Sequence, residues 1–152
     1  MPVFLADEQT HPVNHTLLVD VARFALAQLR VPAEMELALL LVDVDTIAEL
    51  NQEHMGHDGP TDVLAFPIDE PGESVAGPPA ILGDVVLCPV VAGDQAGVNA
   101  HTLDEELAML TVHGILHLLG WDHRDGEEET AMFARTAELL AAFGEDQQAK
   151  QL

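Results

Sequence analysis

The sequence has few residues of several kinds, and each shortage excludes a class of protein. Its single cysteine, Cys88, rules out an internal disulfide framework and a cysteine-based zinc site, so a metal site must use histidine or carboxylate ligands. No uncharged apolar run reaches the roughly 18 residues that a membrane-spanning helix needs. The segment MPVFLADEQT lacks the basic start and the apolar stretch of a secretion signal. We therefore expect a cytoplasmic protein with no membrane partner.

Positive charge is also scarce. Five Lys and Arg residues face 27 Asp and Glu residues, which gives a formal net charge of -22, and Lys150 is the only lysine. Such a surface opposes nucleic-acid binding unless counterions or a bound metal intervene. A high-salt cytoplasm would explain it, because salt screens the self-repulsion. An ordinary acidic protein explains the composition equally well.

The order of the predicted elements indicates the fold class. At 152 residues the chain fits one domain, 1–152, and a domain of this size buries roughly 70% of its unfolded surface. Apolar periodicity predicts a helix from Asn14 to Arg30 and another over about Asp45 to His54. Strands are predicted at the apolar runs PVFLA, MELALLLVD, TDVLAF and AILGDVVLC, and a loop is predicted from Pro67 to Pro79.

The second half of the chain is predominantly helical by pattern. Pro89 starts a short helix that ends near Gly97. Thr102 and Glu105 have the spacing of a capping box and introduce a helix that runs to Gly120. A final helix is predicted over about Glu127 to Phe143, ending at Gly144. The sequence therefore predicts an α+β domain with a mixed sheet of about four strands, packed with helices rather than wound as regular βαβ units.

The stretch HGILHLLGWDH, residues 113 to 123, carries three histidines. His113 and His117 lie one helical turn apart on one face, and Gly120 allows the chain to turn so that His123 approaches them. Three imidazoles with an open fourth position form a catalytic zinc site. In an apolar, buried helix, unpaired polar rings would cost a few kcal/mol each, and a shared metal removes that cost. The alternative is three separate histidines, each satisfied by hydrogen bonds.

This ligand spacing matches that of the metzincin proteases, whose motif is H-E-x-x-H-x-x-G-x-x-H. A metzincin needs glutamate at the second position as its general base, and this chain has Gly114 there. A peptidase with this helix would therefore lack its base.

The longer string HGILHLLGWDH strongly resembles the motif of the YbeY family, formerly described as predicted metal-dependent hydrolases. The resemblance extends to Leu50 and Asn51, to GPTDVLAFP from Gly59 to Pro67, and to LGDVVLCP from Leu82 to Pro89. It covers roughly residues 35 to 143, in the family's order.

The resemblance implies a zincin-like α+β fold with one zinc ion held by His113, His117 and His123. It also implies a single-strand-specific endoribonuclease that matures ribosomal RNA, notably the 3′ end of the small-subunit RNA, and acts in ribosome quality control. Its partners would be single-stranded ribosomal RNA and the small ribosomal subunit. No oligomeric state follows from the sequence.

Zinc can lower the pKa of a bound water to about 7 and polarise a phosphoryl oxygen. The nucleophile is either hydroxide or the RNA's own 2′-hydroxyl, and the sequence leaves both open. Asp62, Asp84 and Asp122 are the candidate proton carriers by their positions in the matched motifs. Asp122 follows the turn and is a candidate to orient an imidazole or only to cap that turn, while Asp62 and Asp84 have the alternative role of holding strand ends.

The chain departs from the family at two positions. Many members carry Tyr-Arg before the G-x-D-x-P-T turn, with the arginine engaging phosphate, whereas this chain has His54 and Met55. Either another cation, such as Arg124, His54 or His57, substitutes for it, or turnover is lower. Ala65 replaces the usual serine, a smaller change. Trp121 is more consistent with packing at the edge of the site than with base stacking.

Two other functions remain as alternatives. One is a zinc peptidase or another small hydrolase on the same scaffold, which Gly114 disfavours. The other is a non-catalytic ribosome-assembly factor with a structural zinc, which Met55 and the acidic surface favour.

Overall fold

The computed structural model describes residues 2–71, 80–122 and 125–151. Its strands are β1 (Val3–Asp7), β2 (Glu36–Leu41), β3 (Val63–Pro67) and β4 (Ile81–Leu87), and they form one sheet in the order β1-β2-β4-β3. The pairs β1/β2 and β2/β4 are parallel, whereas β3 pairs antiparallel with β4. The predicted α+β fold with a mixed four-stranded sheet is confirmed, and β3 lies at one edge of it.

Five helices accompany the sheet in the described residues: α1 (His15–Gln28), α2 (Val44–Met55), α3 (Pro89–Val98), α4 (Leu103–Leu118) and α5 (Gly126–Lys150). The predicted capping box is present, because Thr102 Oγ1 accepts the Glu105 N–H at 3.1 Å and Glu105 Oε1 accepts the Thr102 N–H at 2.9 Å. None of the helices in these ranges is long and apolar enough to cross a bilayer.

The two faces of the sheet bury different helices. Strand side chains alternate between the faces, so Val85 packs under α4, whereas Leu64 and Val86 join Ile47 of α2 in a second apolar cluster. The larger core holds side chains from α1, α4 and α5 together with Leu37, Leu39 and Leu87 of the sheet. Helix α4 is therefore enclosed between the sheet and other helices, which explains its nearly continuous apolar sequence.

The end of the last helix differs from the sequence prediction. Helix α5 continues through Gly144 to Lys150, so the predicted end at Gly144 is wrong. A glycine inside a helix costs only about 1 kcal/mol, and Phe143, packed on Phe24 with ring centroids 5.5 Å apart, holds that turn in place. An ion pair of 3.1 Å between Asp146 and Lys150 lies one turn further on. Most of the predicted loop after Pro67, residues 72–79, lies outside the described residues.

Candidate active site

Helix α4 places the first two histidines of the motif side by side. The Nε2 atoms of His113 and His117 lie 3.2 Å apart, and their ring centroids are 4.7 Å apart. Two imidazoles that bind one tetrahedral zinc ion at about 2.0–2.1 Å have their nitrogens about 3.3 Å apart. The pair therefore fits two ligands of one metal ion. His123, the third predicted ligand, lies outside the described residues, and the described part of the chain contains no complete group of three metal-binding side chains.

The turn after α4 fixes the orientation of His117. Gly120 has a φ of 95°, a left-handed conformation that favours glycine. This turn brings the Trp121 carbonyl oxygen to 3.0 Å from His117 Nδ1. A protonated Nδ1 donates to that carbonyl, which leaves the lone pair of Nε2 available for a metal.

Gly114, which separates this chain from the metzincin pattern, lies against the sheet. A Cβ atom there would approach Val85 Cγ1 to 2.7 Å and Val63 Cγ2 to 3.5 Å. The close approach of α4 to the sheet therefore requires glycine. A glutamate at this position would be directed into the packed core, so the packing gives a second reason against a glutamate-dependent peptidase.

A cavity of about 540 Å³ opens beside His117. We call one side the histidine wall; it consists of His117, Gly120, Trp121 and Asp122. The opposite side, the α2–β3 wall, consists of the end of α2, the loop after it and the edge strand: Asn51, Met55, His57, Thr61, Val63, Leu64 and Ala65.

Hydrogen bonds to backbone carbonyls shape the α2–β3 wall. Asn51 is 7% exposed, and its Nδ2 donates to the Gly59 carbonyl at 3.0 Å, which holds the loop after α2 against that helix. The Cys88 N–H donates to the Asp62 carbonyl at 3.0 Å, and residues alternate in direction along an antiparallel pair. Ala65 therefore directs its N–H toward the free edge of β3, beside the cavity.

The three predicted carboxylates occupy different places. Asp122 lines the cavity together with His117. Asp62 Oδ1 accepts the Val63 N–H at 2.8 Å and the Thr61 hydroxyl at 3.2 Å, contacts that hold the start of β3. Asp84 lies between Gly83 and Val85, and the Cβ directions of these two neighbours face α4. Because side chains alternate along a strand, the Asp84 side chain is directed toward the other face of the sheet. The structure thus brings one of the three carboxylates to the histidine pair.

The cavity contains little positive charge. Met55, 41% exposed, lies in the α2–β3 wall at the position where the sequence resemblance implied an arginine, and no Arg or Lys among the described residues lines the cavity. His57 lines it, whereas the His54 ring packs edge-on against Phe66 with centroids 5.1 Å apart. The sequence analysis suggested His54 and His57 as cations that could substitute for the arginine, and of these two His57 lines the cavity. Arg124 lies outside the described residues.

Sequence reasoning missed Phe133. Its ring lies beside His113, with centroids 6.0 Å apart and the planes inclined by 31°. The available signal was the apolar pair Met132 and Phe133 directly after an acidic run. In the structure Met132 is fully buried, whereas Phe133 is 52% exposed. Which surface Phe133 would meet depends on how α5 packs, and the local pattern does not contain that information.

A four-stranded mixed sheet, a buried helix with two converging histidines and a cavity beside them define the class of protein: a small α+β protein with a histidine-lined cavity. Within that class, the chain belongs to the YbeY family, because the family model described as Endoribonuclease YbeY matches residues 5–144.

Relatives named Endoribonuclease YbeY show this similarity along nearly the whole chain. The protein from Salinispora tropica is 51% identical over 151 residues, which cover 94% of this chain and 96% of the relative. The protein from Nocardia farcinica is 48% identical, with 95% and 82% covered. The solution structure of TM1509 from Thermotoga maritima is similar with a TM-score of 0.63 and 27% identity, and covers 97% of this chain and 93% of TM1509.

Proposed function

We propose that this protein is a zinc-dependent endoribonuclease that cleaves single-stranded RNA during ribosomal RNA maturation in the cytoplasm. The observation that carries the proposal is the 3.2 Å separation of the two Nε2 atoms beside a cavity. Relatives named Endoribonuclease YbeY, among them one that is 51% identical, support an endoribonuclease. Within that activity we place the 3′ end of small-subunit ribosomal RNA as the target, ribosome quality control as the wider role, and the small subunit as the partner.

We assign the metal to His113, His117 and His123. A zinc ion bound there would supply an activated water and neutralise charge on a phosphoryl oxygen. In the histidine wall, the chain itself contributes the orientation of a ligand ring. The Trp121 carbonyl holds the His117 ring through Nδ1, 3.0 Å away, so that a donor nitrogen faces the metal position.

We assign the remaining steps to groups that line the cavity. Asp122 lies beside His117 and is the proposed proton carrier. The outward N–H of Ala65 and the His57 ring are the proposed donors to phosphate oxygens, in place of the arginine that Met55 replaces. In this scheme Asp62 acts by holding the start of β3, and Asp84 acts only as part of β4, in which it lies.

The test is elemental analysis and RNA cleavage on the same preparation. About one zinc per chain and cleavage of a labelled single-stranded RNA are expected for the wild type, with both lost in His117→Ala. His11→Ala, which alters an exposed histidine outside the cavity, is the matched control and is expected to retain both. Zinc without cleavage at any KCl concentration would instead identify a non-catalytic assembly factor. Cleavage of casein would identify a peptidase.

A further inference from the structure

Phe133 is an exposed aromatic residue at the metal-site histidines. Its side chain is 52% exposed, although burial of a phenylalanine is worth about 1.5–3 kcal/mol. A single exposed apolar residue is ordinary. This one differs because its ring lies beside His113, at a centroid distance of 6.0 Å.

The ring borders a recess that adjoins the histidine pair. The recess has a volume of about 140 Å³ and is lined by His113, Glu129, Met132 and Phe133. His117, whose Nε2 lies 3.2 Å from that of His113, lines the larger cavity. The recess therefore adjoins one histidine of the pair and the cavity adjoins the other. A strand whose phosphate is bound at the pair would be within reach of both.

The chemistry of the recess favours a base over a phosphate. Glu129 is exposed at its rim, and a carboxylate repels a phosphate group. Phe133 supplies exposed aromatic surface instead, and the recess is also lined by the buried Met132. Every base has a π face that can stack on an aromatic ring without regard to sequence, and a base is available for this only when it is unpaired.

We infer that Phe133 is the platform on which one unpaired base, next to the cleaved phosphate, stacks. This inference rests on the proposed function and adds a reason for single-strand specificity: a paired base cannot leave its helix to reach the ring. Phe133 is then a positioning residue that holds the strand in register over the histidines.

The experiment uses the metal-loaded protein and single-stranded 2′-O-methyl RNA oligonucleotides that carry 2-aminopurine at one position at a time. Stacking on Phe133 is expected to change the 2-aminopurine fluorescence at one position, and electrophoresis checks that the oligonucleotide stays intact. Phe133→Leu should abolish that position-specific change and weaken binding about 5- to 150-fold. Phe133→Trp should restore both.

Phe4→Leu is the matched control, because Phe4 is 57% exposed on β1, at the edge of the sheet opposite β3. It should bind like the wild type. Equal binding by Phe133→Leu and wild type, with no position-specific signal, would overturn the inference. Cleavage of unmodified RNA by the wild type, measured alongside, reports on the proposed function separately.

Discussion

The two walls of the cavity are built in different ways. The histidine wall continues from α4, whose side chains Leu107, Ile115 and Leu116 are completely buried. The α2–β3 wall consists of a helix end, a loop and an edge strand, held by contacts such as that from Asn51 Nδ2 to the Gly59 carbonyl at 3.0 Å. Core packing therefore fixes the histidines, and we expect the opposite wall to tolerate substitution more readily. This difference is consistent with the departures from the family pattern, Met55 and Ala65, both lying on the α2–β3 wall.

Removal of the proposed metal tests the first half of this comparison and should have the largest effect. Because α4 is held by the core, dialysis against a chelator should reduce RNA cleavage by more than about 10³-fold while the far-ultraviolet circular dichroism stays native. Thermal denaturation should show a decrease in Tm of only a few degrees, and added zinc should restore activity. Cooperative unfolding on chelation would instead mean that the metal holds the fold.

The substitution Gly114→Ala tests whether packing fixes the histidine wall. The new Cβ would lie 2.7 Å from Val85 Cγ1, and valine has few alternative rotamers, so we expect a loss of about 1–3 kcal/mol in unfolding free energy. Urea denaturation measures it. Gly97→Ala in α3 is the matched control, because a Cβ atom added at Gly97 would have no neighbour within 4 Å, and it should be neutral or slightly stabilising. Equal stability of the two variants would remove the packing explanation for Gly114.

The substitution Met55→Arg tests the tolerance of the opposite wall. Because Met55 is 41% exposed, the free energy of unfolding of the variant should differ from that of the wild type by less than about 0.5 kcal/mol. An arginine there can pair with a phosphate, so affinity for single-stranded RNA should rise about fivefold and the salt slope should become steeper by about 0.7. Anisotropy titrations over a range of KCl measure both.

Val98→Arg adds the same charge at an 86% exposed position on α3, outside the cavity, and is the control. The same gain in Val98→Arg would show a general charge effect rather than a phosphate contact at Met55.

For the wild type, the net charge of -22 predicts that activity rises with KCl over a range where a basic nuclease loses it. Inhibition from the lowest salt upward would contradict that expectation.

The sequence predicted those features that local spacing encodes. The capping box at Thr102 and Glu105 and the convergence of His113 with His117 follow from helical periodicity alone. The position of Phe133 beside His113 does not, because it depends on α5 packing against α4 across the chain. The face of Asp84 likewise depends on which side of β4 receives α4.

The N-terminal half of α4 also buries a polar group, Glu106, away from the histidines. Glu106 is 2% exposed, and its Oε2 has no hydrogen-bond partner among the described residues. Burial raises the pKa of Glu106 above its ordinary value of 4.5. Its neighbour Glu105 differs, because the hydrogen bond from the Thr102 N–H lowers the pKa of Glu105 below 4.5.

The two glutamates should therefore affect stability with opposite dependence on pH. A raised folded pKa means that the contribution of Glu106 is most favourable below about pH 4.5 and is lost as pH rises through the folded value. The free energy of unfolding of Glu106→Gln should accordingly exceed that of the wild type by up to about 1 kcal/mol at neutral pH and should equal it in acid. Glu105→Gln should lose stability at neutral pH, and that deficit should disappear as pH falls below the lowered pKa. Urea denaturation of both variants between acid and neutral pH measures the two trends, and parallel curves would show that burial does not distinguish Glu106 from its exposed neighbour.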